Sequence, residues 1–205
     1  MSLEEHYCKK NNSIFLFGGA FDPIHYGHIQ IAKEIFHKFK PLEFFFIPSK
    51  NPPHKFINTP YINRVEMLEI ALNNQDYLKI SYIENNEKKN NYAIDYVFYF
   101  KNLYPKIKIN LVIGFDSFLD IPNWYKFEDL LANSNLYVIN RPGKNKNQLS
   151  SSLNLYEKNI HFIENINVDI SSEKIRHKIK SKSNIKLLCP PKVIEYIKKY
   201  NLYGY

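Results

Sequence analysis

Two glycines and two histidines lie close together in the stretch Gly18-Gly19-Ala20-Phe21-Asp22-Pro23-Ile24-His25-Tyr26-Gly27-His28. Adjacent glycines let backbone N–H groups approach an anion with no Cβ in the way. At the start of a helix, histidines three residues apart share a face, so both Nε2 atoms can reach one phosphate chain. The helix N-terminus adds unpaired N–H donors and the positive end of its dipole. This stretch therefore predicts a polyphosphate site.

Two other interpretations of this stretch have to be weighed. The spacing His-x-x-His also suits zinc, but no third cysteine, histidine or carboxylate stands at ligand spacing, so we expect no protein-bound metal. In the other interpretation, the glycines only make a turn and the histidines lie on the surface. A strand end, a glycine pair, an Asp-Pro turn and two histidines in phase would then occur together without a functional reason.

A second candidate anion site follows Ile170, where Ser171 and Ser172 are expected to begin a helix. Arginine occurs in the chain only at positions 64, 141 and 176, and Arg176 lies in the first turns of this helix. Its rigid guanidinium suits bidentate phosphate contacts, whereas lysine acts as a point charge. Two helix N-termini, two histidines and one arginine could hold a triphosphate and neutralise departing pyrophosphate, without a nucleophilic side chain.

Strand and helix patterns alternate along the chain and position these residues. Short apolar runs predict strands over 13–17, 43–47, 78–83, 108–113, 135–139 and 160–163, and apolar spacing predicts helices over 26–39, 61–72, 92–103, 171–179 and 192–200. We expect an α/β fold, Rossmann-like and doubly wound, with a mostly parallel sheet and helices on both faces. One domain spans 1–205, with a mobile insertion at 144–159, a solvated loop at 84–90 and a C-terminal helical tail at 184–205.

Composition limits the classes of protein that remain. The chain has 205 residues, 44% hydrophobic and 23% charged, which indicates a globular domain. Its 28 lysines and arginines exceed 20 acidic residues, giving a net charge of +8 that favours a polyanionic ligand. Apolar runs fall short of the roughly 20 residues of a membrane span, and Cys8 and Cys189 form no ligand or disulfide pattern. We expect a soluble cytoplasmic protein without a membrane partner.

Residues 19–28 match in full the nucleotidyltransferase superfamily signature Gly-x-Phe-Asp-Pro-x-His-x-Gly-His. Residues 170–176 resemble its other signature, Ile-Ser-Ser-Thr-x-Ile-Arg, with Glu173 in the threonine position. Five further segments are similar to bacterial-type nicotinate mononucleotide adenylyltransferases, in the same order along the chain: 46–55, 111–118, 123–127, 141–143 and 188–191. This resemblance implies that the phosphate of nicotinate mononucleotide attacks the α-phosphorus of ATP, giving nicotinate adenine dinucleotide and pyrophosphate, with Mg²⁺ escorting ATP.

The resemblance also assigns site residues. It implies a catalytic role for His25, His28 and Arg176. The implied ATP-binding residues are Gly18, Gly19, Ala20, Phe21, His25, His28, Gly114, Asp116, Arg141, Ser171, Ser172 and Arg176. The implied mononucleotide-binding residues are Lys50, His54, Lys55, Tyr92, Ala93, Trp124 and Tyr125.

Several of these assignments have physical alternatives. Trp124 could stack on a pyridine ring or anchor the core. Asp116 could accept hydrogen bonds from ribose hydroxyls, cap a helix, or do both. His54 and Lys55 could meet the mononucleotide phosphate, steady the triphosphate, or simply form an exposed basic loop. Arg64 is expected to be an ion-pair partner on its helix.

Rival functions remain at this point. The same reaction type could use another acceptor, such as nicotinamide mononucleotide or phosphopantetheine. From a different class, the net charge and many tyrosines would also suit an RNA-binding module, but the lysines are scattered, so we expect no nucleic-acid partner. The sequence leaves open a homo-oligomer.

Overall fold

Parallel strands form one sheet in the computed structural model, which describes residues 11–52, 57–85, 92–139, 151–164 and 170–205. The strands found in these residues are β1 (Asn11–Gly19), β2 (Pro41–Pro48), β3 (Leu78–Ile80), β4 (Lys108–Gly114), β5 (Asn135–Ile139) and β6 (Ile160–Ile163). They are ordered β3-β2-β1-β4-β5-β6, and each neighbouring pair is parallel. The order reverses between β1 and β4, where doubly wound folds bind ligands.

The helices of the described residues follow the strands. They are α1 (Tyr26–Phe39), α2 (Tyr61–Leu72), α3 (Ala93–Leu103), α4 (Phe115–Leu119), α5 (Phe127–Asn133), α6 (Ser172–Lys180) and α7 (Pro191–Lys199). The predicted bounds of α1 and α2 are confirmed, and those of α3, α6 and α7 shift by one residue. Each of these helices has the apolar face that its spacing indicated.

Alternating side chains of β1 divide the core into two layers. Phe15 and Phe17 pack into a layer with residues of α1, α2, α6 and α7. Ile14 and Leu16 pack into the opposite layer, with residues of α3, α4 and α5. Helices therefore cover both faces, and the predicted Rossmann-like, doubly wound α/β fold is confirmed.

Three local predictions differ from the structure. β1 continues through Gly18 and Gly19, which pair with Ile47 and Pro48, so the glycines end a strand instead of forming the turn. β3 stops at Ile80, and a 3-10 helix at Ile83–Asn85 places Glu84 in the interior, 5% exposed, where a solvated loop was predicted. Ser151–Asn159 form another 3-10 helix with Leu153 buried, whereas residues 144–150 of the predicted insertion lie outside the described residues.

Every helix within the described ranges is too short or too polar to cross a bilayer.

Candidate active site

The loop after β1 depends on a close contact between Gly19 and Phe21. A Cβ on Gly19 would lie 3.0 Å from the ring of Phe21, whereas one on Gly18 would meet no atom within 4 Å. The turn lies at Asp22 and Pro23, and Phe21 enters it with a φ of 49°, in the left-handed region that bulky residues rarely adopt. The left-handed backbone of Phe21 was not predicted, because the adjacent glycines were expected to supply the unusual backbone of this loop.

His25 and His28 lie together at the start of α1. His25 is the N-cap residue, one position before the first turn that was predicted for it, and its Nδ1 accepts a hydrogen bond from the His28 backbone N–H at 3.4 Å. The two imidazoles stack with centroids 3.6 Å apart, and the edge of Phe21 packs on His28. Because Nδ1 of His25 is an acceptor, this bond assigns its ring proton to Nε2, which becomes a donor.

The N-terminus of α6 packs directly against this loop. Ser172 Oγ donates to the Pro23 carbonyl at 2.9 Å, and Arg176 Nη1 donates to the Asp22 carbonyl at 2.7 Å. Arg176 Nη1 also lies 3.8 Å from Asp22 Oδ2, and the side chain of Arg176 stays 36% exposed. The structure thus brings together the two stretches that the sequence singled out.

The two serines of α6 have different hydrogen-bonding roles. Ser171 Oγ caps the helix by accepting the Lys174 N–H at 3.2 Å, so its own hydroxyl proton remains for a ligand. Ser172 already uses its single hydroxyl proton on Pro23. The hydroxyl predicted for anion binding at Ser172 is therefore committed to holding the loop, and its backbone N–H is left for the ligand.

Arg64 connects the loops that surround the site. It is 1% exposed, and its guanidinium donates to the carbonyls of Thr59, Ala20, Ser49 and Lys50 at 2.7 to 3.3 Å. The expected ion pair was therefore wrong, because backbone carbonyls take these donors. Burial lowers the pKa of Arg64, and the Asp22 carboxylate opposes that change. Arg64, Leu68 and Leu72 are spaced four residues apart and so lie on one face of α2, and this spacing could have indicated that Arg64 is buried.

Aromatic side chains predicted to bind the mononucleotide cluster beside α3. The rings of Tyr92 and Tyr125 lie 4.4 Å apart, and Tyr125 is 51% exposed. Trp124 is half-buried and packs on the core layer that includes Leu16, which favours the anchoring alternative, and its stacking on a pyridine ring stays a prediction. Tyr92 precedes α3, its N–H bonded to the Asp95 carboxylate at 2.9 Å, and Ala93 is the first helical residue.

The remaining predicted residues fall into two groups. Gly114 ends β4 and is the N-cap of α4, so the exposed Asp116 lies in the first turn and is not the cap. Lys50 is half-buried, and its carbonyl accepts from Arg64. His54, Lys55 and Arg141 lie outside the described residues.

Side chains that commonly bind metals form no cluster in the described part of the chain. Within the ranges that the structure describes, no three His, Cys, Asp or Glu residues are grouped so as to hold an ion. Mg²⁺ usually keeps several waters and binds through substrate phosphates, which requires no such group.

A parallel sheet with two helix N-termini at one edge suits the binding of a nucleotide's phosphates, as in nucleotidyltransferases. A cytidylyltransferase-like family model matches residues 16–178. A protein of Clostridium tetani is 35% identical over 92% of this chain and 97% of its own, and one of Carboxydothermus hydrogenoformans is 36% identical over 93% and 97%. Both are named "probable nicotinate-nucleotide adenylyltransferase". The chain belongs to the cytidylyltransferase-like family, among the nicotinate-nucleotide adenylyltransferases.

Solved structures agree on the fold. The nicotinic acid mononucleotide adenylyltransferase of Plasmodium falciparum, in complex with NaAD, superposes with a TM-score of 0.79. The match is 24% identical and covers 96% of this chain and 98% of that one. At this identity the likeness supports the Rossmann-like architecture over nearly the whole chain.

Proposed function

We propose that this protein transfers AMP from ATP to nicotinate mononucleotide, forming nicotinate adenine dinucleotide and pyrophosphate. The observation that carries the proposal is the contact of α6 with the loop before α1, through Ser172 and Arg176. It joins two helix N-termini, two histidines and an arginine at one edge of the sheet. Membership of the adenylyltransferase family agrees with it. We propose that it acts in the cytoplasm.

The chemistry is a direct in-line displacement. A phosphate oxygen of the mononucleotide attacks the α-phosphorus of ATP, and a new P–O bond forms there. The bond from that phosphorus to the oxygen bridging the β-phosphate breaks, and pyrophosphate leaves with the electron pair. The enzyme forms no covalent intermediate, so catalysis consists of positioning and electrostatic stabilisation.

Each end of the site has a role in this displacement. His28 and the Nε2 donor of His25 contact the phosphate chain at the start of α1. Arg176 and the backbone N–H groups at the start of α6 neutralise charge that moves onto the leaving pyrophosphate. Ser171 supplies a hydroxyl donor at that same helix end. Arg64 holds the two loops whose carbonyls it binds and does not reach the substrate.

Mg²⁺ would be held by the phosphates of bound ATP and would lower their negative charge. Asp116 is exposed beyond the end of β4, and we propose that its carboxylate accepts hydrogen bonds from ribose hydroxyls of the nucleotide.

The acceptor binds at the aromatic cluster beside α3. The exposed ring of Tyr125, backed by Tyr92, offers a stacking surface for the pyridine ring, and Trp124 holds this turn in place. At the N-terminus of α3, the Ala93 backbone N–H can donate to the nicotinate carboxylate. Because a helix N-terminus favours an anion, nicotinate should be preferred over uncharged nicotinamide.

The test is pyrophosphate release from ATP and Mg²⁺ with nicotinate mononucleotide, nicotinamide mononucleotide or phosphopantetheine as the acceptor, with the dinucleotide identified by chromatography. We expect turnover with nicotinate mononucleotide and a much lower kcat/KM with the other two. Release only with phosphopantetheine would overturn the assignment of the acceptor. Salt-dependent RNA affinity without ATP turnover would overturn the enzyme altogether.

His28→Ala provides the mechanistic arm of this test. It should lower kcat by roughly 10²–10³-fold, the usual effect of removing one preorganised donor. His37→Ala, an exposed histidine at the opposite end of α1, is the matched control and should leave kcat unchanged. Near-normal turnover of His28→Ala would remove this histidine from the mechanism.

A further inference from the structure

The last residues of the chain turn back sharply after α7. Asn201, Tyr203 and Gly204 all have left-handed backbone, with φ of 50°, 62° and 76°. For the two residues other than glycine this conformation costs about 1 kcal/mol each. A strained turn of this kind persists only where surrounding contacts hold it, and here the contacts are made by Tyr203.

The Tyr203 hydroxyl reaches the loop before α1. It donates to Asp22 Oδ1 at 2.7 Å, and Asp22 is only 6% exposed. The other carboxylate oxygen, Oδ2, lies 3.8 Å from Arg176 Nη1, which itself donates to the Asp22 carbonyl. The buried Asp22 carboxylate is thus shared between a neutral donor from the tail and the guanidinium at the polyphosphate site.

Electrostatics make Tyr203 a permanent donor in this arrangement. Burial raises the pKa of Tyr203, and the nearby Asp22 carboxylate raises it further, so the phenol keeps its proton at neutral pH. Without the phenol, one carboxylate oxygen would lose its donor in a dry environment, which is costly. Arg176 Nη1 lies 3.8 Å from this carboxylate, whereas the guanidinium of Arg64, which Asp22 also influences, is held by four backbone carbonyls. The carboxylate would therefore draw the guanidinium of Arg176 inward, away from the exposed position that a ligand requires.

We propose that Tyr203 is a positioning residue whose hydroxyl holds the Asp22 carboxylate so that Arg176 keeps its exposed edge toward the polyphosphate. The proposal rests on the proposed function and deepens it. It assigns to the C-terminal turn a role in binding ATP, beyond its packing against α6 and α7.

The experiment compares Tyr203→Phe with wild type and with Tyr205→Phe, a half-exposed tyrosine of the same tail. Tyr203→Phe should raise the KM for ATP by about tenfold, the effect expected from losing a hydrogen bond to a charged group. The KM for nicotinate mononucleotide should change less than about twofold, because Arg176 serves the triphosphate. Tyr205→Phe should match wild type. A loss of thermal stability with unchanged KM values, or equal rises in both KM values, would overturn the proposal.

Arg176→Ala supplies a double-mutant cycle. If Tyr203 acts through Arg176, adding Tyr203→Phe to Arg176→Ala should change kcat/KM for ATP by less than about twofold, because the two effects are not additive. A second full tenfold loss would mean that Tyr203 acts independently of Arg176.

ATP binding measured by calorimetry without acceptor separates this proposal from the proposed function. Tyr203→Phe should raise the Kd for ATP about tenfold relative to wild type. If wild type binds ATP but makes no dinucleotide, the proposed function fails while this comparison still decides the role of Tyr203. An unchanged Kd would overturn the positioning role whatever the acceptor proves to be.

Discussion

Ser172 and Pro23, 149 positions apart in the chain, are joined by a 2.9 Å hydrogen bond from the serine hydroxyl to the proline carbonyl. The bond fixes α6 against the loop before α1, and thereby sets the distance between the two helix N-termini. An in-line displacement needs this spacing to be correct, because small misplacements of charge are costly in rate.

Ser172→Ala should therefore lower both stability and activity, whereas Ser172→Thr should retain both. Losing one hydrogen bond to a partly buried carbonyl costs about 1 kcal/mol of unfolding free energy. Urea denaturation and kcat/KM for ATP measure the two effects. If Ser172→Ala lowered activity and Ser172→Thr lowered it equally, the hydroxyl would not be the group that matters.

Arg64 is expected to be among the least replaceable residues of the chain. Arg64→Met leaves the carbonyls of Ala20, Ser49, Lys50 and Thr59 without their buried donor, so the free energy of unfolding should fall by about 3 kcal/mol or more. Denaturant titration measures this fall.

Lys79→Met is the control for Arg64→Met, because it removes a half-exposed cation paired with Glu43 at 2.8 Å. Its effect on the free energy of unfolding should stay within about 1 kcal/mol. Arg64→Lys tests whether charge alone suffices. A lysine cannot reach four carbonyls in a plane, so we expect it to restore only part of the lost stability. Full restoration would refute the geometric argument.

Local patterns were enough to predict most of the fold. The apolar run of β1 and the spacing of Ile29, Ala32 and Ile35 in α1 are properties of neighbouring residues. The helix α1 has its predicted bounds, and β1 contains its predicted run and extends two residues beyond it at each end. Parallel pairing followed from the alternation of strands and helices. The signatures at 19–28 and 170–176 likewise identified the two segments that meet at the site.

What could not be predicted depends on contacts between distant residues. Glu84 lies in a run of polar residues, yet the Tyr96 hydroxyl donates to its carboxylate in the interior. The donors of Arg64 find carbonyls in loops, and carbonyls leave no trace in side-chain patterns. Tyr203 is one of 16 tyrosines, and only the turn of the tail directs it to Asp22.

Tyr125→Ala should affect the acceptor more than the donor. The exposed Tyr125 ring contributes a stacking surface for pyridine and little to the core, so the KM for nicotinate mononucleotide should rise about tenfold while the KM for ATP stays within about twofold. Steady-state kinetics with each substrate varied in turn measure both values.

Trp124→Ala and Tyr99→Ala are the comparisons for Tyr125→Ala. Trp124 packs on the core, so its removal should also lower the melting temperature. Tyr99 is a similarly exposed tyrosine on α3, and Tyr99→Ala should leave both KM values unchanged. Equal rises in the two KM values for Tyr125→Ala would place this tyrosine outside the acceptor site.

The buried Cys189 thiol should make the free energy of unfolding fall as the pH rises above about 9. Burial raises the pKa of the Cys189 thiol from 9.0 to about 12. The unfolded chain therefore releases this proton near pH 9 while the folded protein keeps it. The contribution of the protonated Cys189 thiol to the free energy of unfolding is complete below pH 9 and is lost as the pH rises toward 12. At pH 10.5 wild type should have lost about 2 kcal/mol through this group.

The measurement is the free energy of unfolding at pH 7.5 and pH 10.5 for wild type, Cys189→Ala and Cys8→Ala. Cys189→Ala should be less stable at pH 7.5, because it loses the buried sulfur, but its stability should fall less between the two pH values. The buried Tyr196, whose pKa burial raises to about 12, contributes the same pH dependence to all three proteins and cancels in the comparison. Identical slopes for wild type and Cys189→Ala would show that the folded thiol titrates like that of the unfolded chain.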